Sequence, residues 1–100
     1  MQTQTILNKM LEYVQDFRAQ LTKGDLASIP ALTENSRSFF RELIQELPAS
    51  EPIVVEVASF VSCVDRFGTA CAQQNLEEAA ITLAEMEAIA EAVRGGCLVS

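Results

Sequence analysis

Apolar side chains return every three or four residues along almost the whole of this chain, and the pattern is interrupted only at a few short polar stretches. A period near 3.6 puts those side chains on one side of an α-helix, and a helix with one apolar face must bury it against another element. The first stripe is Leu7, Met10, Leu11, Val14, Phe17 and Leu21. Lys23-Gly24-Asp25 breaks it, because glycine readily takes the left-handed backbone that closes a helix and aspartate can cap the next one. A second stripe runs through Ile29, Leu32, Phe39, Phe40, Leu43, Ile44 and Leu47, with Ser28 or Asp25 as its cap and Pro30 near its start, where a missing amide hydrogen costs little.

Pro48-Ala49-Ser50-Glu51-Pro52 ends that helix and begins the next, with Ser50 expected at the cap and Pro52 in the first turn. The third segment, Ile53 to Gln73, is rich in β-branched residues that also favour strands. Its period decides for a helix: Val57, Phe60, Val61, Val64, Phe67 and Cys71 keep a helical stripe over more length than an ordinary strand spans. The fourth segment opens on Asn75-Leu76-Glu77-Glu78, where asparagine at the cap and a glutamate three residues on can satisfy free amide hydrogens. Leu76, Ala79, Ala80, Leu83, Met86, Ile89, Ala90 and Val93 are its expected apolar face, and Gly95-Gly96 its expected stop.

A shift of 50 residues, which carries Phe17 onto Phe67, preserves most of this pattern. Val14 falls on Val64, Leu26 on Leu76, Leu7 on Val57, Met10 on Phe60 and Leu43 on Val93, while Thr33 opposite Leu83 and Ser36 opposite Met86 depart from it. Each half is then a helical hairpin, the first about 5–47 and the second about 51–94, followed by a short tail at 95–100. Two such hairpins bury their apolar faces by closing on each other, which predicts a single all-α domain, an antiparallel four-helix bundle with short connections.

Composition narrows the function. At 49% hydrophobic and 21% charged, 100 residues suffice for one globular core. The formal charge of −7, with no local cluster of Lys and Arg, opposes a phosphate backbone, so nucleic-acid binding is not expected. An acidic surface suits a basic protein partner, and it also simply keeps a small domain dissolved. Polar residues Met1 to Thr5 do not form a secretory signal, which leads to the expectation of a cytoplasmic protein. The most apolar stretch, Ile53 to Val64, carries Glu56 and is shorter than the roughly 20 residues a membrane span needs, so membrane association is not expected.

Chemistry finds little to work with. The chain has no histidine, which removes the proton acceptor of Ser/His/Asp and Cys/His nucleophile schemes, the phosphorylated residue of a phosphotransfer bundle, and the inward Glu-x-x-His pairs of a di-metal bundle. Cys63, Cys71 and Cys97 form no CxxC pair, and the first two, two helical turns apart, read as small core residues. Glu77-Glu78 and the set Glu85, Glu87 and Glu91 read as a solvated helix face, with Glu87 and Glu91 beside no polar partner that would tune them. Gly24, Gly68, Gly95 and Gly96 are too scattered for a phosphate loop. Cys97-Leu98-Val99-Ser100 has the form of a prenylation box, against a plain tail, but lacks the upstream basic residues that normally supplement one lipid. No enzyme, metal or cofactor is expected.

What remains is binding. Phe39 and Phe40 are adjacent and so about 100° apart, too far to face one narrow seam. Phe40, Ile44 and Leu47 make a second apolar row on the second helix, and Val54, Ala58 and Val61 a comparable one on the third. Either both rows broaden the core face, or they line an exposed groove that takes a helix of another protein.

The elbow Leu21-Thr22-Lys23-Gly24-Asp25-Leu26, with Leu32, Ser36-Arg37, Phe39-Phe40 and Glu42-Leu43 after it, resembles the helical hairpin of the flagellar and type III secretion export chaperones over about a third of the chain. That resemblance implies a cytoplasmic chaperone that keeps an export substrate soluble by covering its amphipathic helices. The expected partner site is then Phe40, Ile44, Leu47, Val54 and Val61, with a homodimeric structural or regulatory adaptor as the alternative.

Overall fold

The computed structural model describes residues 3–48 and 50–96. Four helices, α1 (Thr3–Lys23), α2 (Ile29–Glu46), α3 (Pro52–Ala72) and α4 (Leu76–Gly96), account for nearly all of them, with one 3₁₀ turn at Leu26–Ser28. They form the antiparallel four-helix bundle that the stripes predict, with principal extents of 38 × 23 × 17 Å. The long dimension is set by the helices, since 21 residues at 1.5 Å each span about 31 Å. Neighbours in the ring are α1–α4, α4–α3, α3–α2 and α2–α1; α3 is held closely on both sides, whereas α1 and α2 approach each other over the shortest stretch.

Four phenylalanines run through the centre. Phe17 meets Phe67 at a ring-centroid distance of 4.9 Å and Phe40 meets Phe60 at 5.1 Å, and all four are fully buried. Phe17 and Phe67 are the pair related by the 50-residue shift, so the two hairpins touch through equivalent side chains. In α3 the helical period prevails over β-branching because Ile53, Val57, Val61 and Val64 all reach this core only if the backbone is helical.

The two elbows are the same structure. Gly24 has φ +76° and Gln74, fifty residues on, has φ +57°. In the first elbow the Gly24 amide donates to the Leu21 carbonyl at 3.1 Å and Asp25 to Gln20 at 3.0 Å; in the second, Gln74 donates to Cys71 at 3.0 Å and Asn75 to Ala70 at 2.8 Å. This is the paired closure that satisfies the last free carbonyls of a helix.

The caps differ from expectation in two places. Asn75 caps α4 as expected, its Oδ1 accepting from the Glu78 amide at 3.2 Å. Asp25 does not cap through its side chain, because its carboxylate is taken by the Ser28 hydroxyl at 2.8 Å; Ser28 occupies the cap of α2 without a side-chain bond. Ser50 is not the cap of α3: Glu51 holds that position in extended conformation, also without a side-chain bond, and Pro52 is the first helical residue. Gly95 and Gly96 are the last described residues of α4, which ends at Gly96. Near the start of α4, Leu76 and Ala80 are exposed, and Thr82 takes a core position instead, its hydroxyl returning to the Glu78 carbonyl at 2.8 Å.

Thr33 and Ser36, where the internal match fails, explain why α2 lies so close to α3. Both are buried, and a Cβ built on Gly68 would sit 3.1 Å from Thr33 Cγ2. Their counterparts in α4, Leu83 and Met86, are large, and Gly68 corresponds in α1 to Arg18, whose guanidinium pairs with Glu87. One seam is closed by small residues and the other by bulk and charge.

Candidate partner-binding surface

The two apolar rows named above face each other. Arg37 Nη1 donates to Asp65 Oδ1 at 2.8 Å, and Thr33 lies against Gly68, which fixes the register of the antiparallel pair α2 and α3. Carried along both helices, that register sets Phe40 at the level of Val61 and Ile44 at the level of Ala58, while Leu47 is the extended residue that ends α2 and Val54 lies in the first turn of α3. Phe40 is 0% exposed and Val61 8%, so these two lie in the core and not on a free surface. The Phe40 ring is packed on three sides, by Phe60, by Phe39 at 5.0 Å and by Tyr13 at 5.8 Å. Ile44, Leu47 and Val54 are half-buried along the outer edge of the same seam, and Ala58 is exposed. Of the five expected residues, the structure buries Phe40 and Val61 and leaves Ile44, Leu47 and Val54 half-buried.

Apolar surface is distributed unevenly over the molecule. Among the described residues, nine half-buried hydrophobic side chains pack directly on the core, eight of them, including Leu11, Tyr13, Leu32, Phe39, Ile44 and Leu47, from the first half of the chain and the ninth, Ile89, from the second; Val54 is half-buried as well. This is also the half whose two helices approach each other least. Val55 on α3 stands 65% exposed, and Leu76 and Ile81 on α4 are about half exposed.

Among the described residues, ion pairs form both between helices and along them. Arg37 bridges Glu34 and Asp65, Arg66 pairs with Glu85, Arg18 with Glu87 and Arg94 with Glu91. Glu87 and Glu91 thus each have a basic partner, contrary to expectation: arginines from α1 and from the next turn of α4 reach them, although all four side chains remain substantially exposed. The Arg37 guanidinium, by hydrogen bond and by charge, holds the Glu34 carboxyl below its ordinary value. Glu42, Glu46, Glu51 and Glu56 have no basic partner among the described residues, and they cluster in sequence around the α2–α3 connection.

An open depression of about 460 Å³ lies between α3 and α4 and is lined by Ser59, Ser62, Cys63, Arg66, Glu85 and Ile89. Burial pushes the Cys63 thiol up, and Arg66, donating to its sulfur at 3.2 Å, opposes that only in part. Cys71 is likewise pushed up by burial. A protonated, buried thiol is a poor nucleophile, so both cysteines act as small core residues. Cys97 and the rest of the prenylation-like tail lie outside the described residues. Among the described residues no group of three Cys, Asp or Glu side chains is placed to hold a metal ion, and no helix is long and apolar enough to cross a membrane.

Comparison with known protein families, with curated proteins and with solved structures yields no match to this chain.

Proposed function

We propose that this chain is a small acidic protein-binding module, a cytoplasmic chaperone or adaptor that covers an amphipathic helix of a partner. The observation that carries this reading is the concentration of half-buried apolar side chains on the hairpin whose helices are least tightly closed. Such a rim loses little by being uncovered, and it gains about 25 cal/mol for each Å² of apolar surface that a partner helix removes from water. Ile44, Leu47 and Val54 contribute exposed edge, while Phe40 and Val61 form the rigid floor beneath them. The resemblance of the Gly24-Asp25 elbow to flagellar and type III export chaperones supports an export substrate as the partner.

The test is a titration of the purified protein with a synthetic amphipathic helix of leucine and glutamine, followed by fluorescence anisotropy. Ile44→Ser together with Leu47→Ser is expected to weaken binding about tenfold or more, as the loss of two rim contacts implies. Helicity of that variant should stay unchanged. A stable symmetric dimer in light scattering that fails to take up the peptide would instead favour a homodimeric subunit.

A further inference from the structure

The second hairpin closes tightly on the core and yet keeps an apolar outer face. Among the described residues, the large hydrophobic side chains that remain about half or more exposed, Val55, Leu76 and Ile81, all belong to α3 and α4. Around Ile81 the outer side of α4 continues through Ala80, Ala84, Ala88 and Ala92, all exposed and spaced to share one side of the helix. The outer side of α2, by contrast, is Glu34, Asn35, Ser38, Arg41 and Glu42. A helix that is apolar on its outer side as well as its inner one is the kind found covered on both.

The charges of α4 leave this face clear. Glu85 is drawn aside to Arg66 of α3 and Glu87 to Arg18 of α1, so each flank is edged by an ion pair, and the net charge of −7 does not bear on the strip between them. Charge returns at the two ends, with Glu77 and Glu78 in the first turn and Arg94 in the last. The pairing of Arg66 with Glu85, and the depression in which Ser59 lies near Ala88 and Ile89, set the register of α3 against α4 and bring Val55 level with Ala92. Val55, Ser59 and Ser62, all exposed, therefore extend the α4 face across α3 without adding a charge.

We propose that this α3–α4 face receives a second copy of the chain, with the two α4 helices antiparallel. A two-fold axis at the level of Met86 sets Ala84 of one copy against Ala88 of the other and Ala80 against Ala92, and alanines let helix axes approach to about 8 Å. The same axis brings the Glu77-Glu78 end of each α4 to Arg94 of the other, whereas a parallel pair would set like charges together at both ends. Area supports both helices taking part: a face about 31 Å long and roughly two helix widths across offers on the order of 600 Å² per copy, about 1,200 Å² in all, which reaches the lower bound of a stable interface. Helix α4 alone would supply half of that. Because α4 lies diagonally across the bundle from α2, the dimer leaves Ile44 and Leu47 open, and it does not depend on the binding function proposed above.

Sedimentation equilibrium of the whole chain tests this. The mass should rise from one chain to two as concentration increases through the micromolar range. Ala84→Lys/Ala88→Lys should weaken self-association at least tenfold, although it lowers the net acidity that opposes association, because each lysine would face a lysine of the other copy. Ala31→Lys/Asn35→Lys on the outer side of α2 should not weaken it, and circular dichroism should show both variants as helical as the wild type. Arg94→Glu should weaken the dimer about fivefold, and adding Glu77→Arg should restore it to within about twofold. The two positions stand at opposite ends of one helix, so only a second copy can bring them together. A single-chain mass at every concentration up to about 1 mM, or a dimer indifferent to the α4 lysines, would overturn the proposal. Failure of Glu77→Arg to rescue Arg94→Glu would overturn the antiparallel arrangement.

Discussion

Gln74 holds a backbone that glycine would hold more easily. At φ +57° a residue with a Cβ is strained by about 1 kcal/mol, and Gly24 at the equivalent place in the first elbow is free of that strain. Gln74→Gly is therefore expected to raise stability by about 0.5 kcal/mol, after the extra unfolded-state entropy of glycine is offset, while Gly24→Ala should lower it by about 1 kcal/mol. Urea denaturation of the two variants checks both signs. The first elbow is legible because it spells Lys-Gly-Asp, whereas nothing about a glutamine announces the left-handed backbone of the second.

The buried thiols give a second residue-scale expectation. Burial raises Cys63 and Cys71 in the folded protein, so both states are protonated at neutral pH and the stabilising difference is complete there. Above the ordinary thiol value of about 8.5 the unfolded chain ionises first, and stability falls as pH rises toward the folded-state values. Melting curves between neutral and alkaline pH should show that decline, and Cys63→Ala/Cys71→Ala should remove it. A wild-type profile as flat as that of the double variant would contradict the assignment.

At the scale of the helices, the α2–α3 seam depends on small residues. Thr33 is fixed in place because its hydroxyl donates to the Pro30 carbonyl at 2.9 Å, so it cannot rotate away from a methyl group placed on Gly68. Gly68→Ala should then destabilise by about 1 kcal/mol despite the better helix propensity of alanine, as overpacking of a tight seam does. With Thr33→Ser, which keeps the hydroxyl and deletes the crowding methyl, the same substitution should become stabilising, and a double-mutant cycle measures the reversal. Phe40→Ala belongs to the same seam: its ring is surrounded by three others, so its loss should cost about 3 to 5 kcal/mol and disturb the fold as a whole.

Helical period made the elements legible, because a stripe repeated over five turns has no other compact reading. It could not tell which edge of each stripe faces a neighbour and which faces water. Phe40 and Val61 therefore looked as available as Ile44, Leu47 and Val54, although the α2–α3 register buries the first pair. Thr82 and Ser36 went unseen in the core because a hydroxyl breaks an apolar pattern even where it packs; Thr82 is satisfied by its own helix, while the Ser36 hydroxyl finds no protein partner. The arginine that pairs with Glu87 comes from α1, far away in sequence, so no local pattern contained it.

For the whole molecule, symmetry in sequence gives way to asymmetry in packing. The hairpins share elbows and touch through Phe17 and Phe67, yet α3 and α4 close tightly while α1 and α2 do not, and half-buried apolar side chains are concentrated on the looser side. A closed bundle of this size buries about two-thirds of its unfolded surface and is stable by only a few kcal/mol, so covering the open edge with a partner would add appreciably to its stability.

The account stands or falls on where a partner lands. The most direct measurement is a map of backbone amide chemical shifts while the synthetic amphipathic helix of leucine and glutamine is titrated in. Perturbations should centre on Ile44, Leu47 and Val54 and leave the exposed faces of α4 undisturbed. Shifts confined to α4, or none at peptide concentrations that saturate the anisotropy signal, would contradict it.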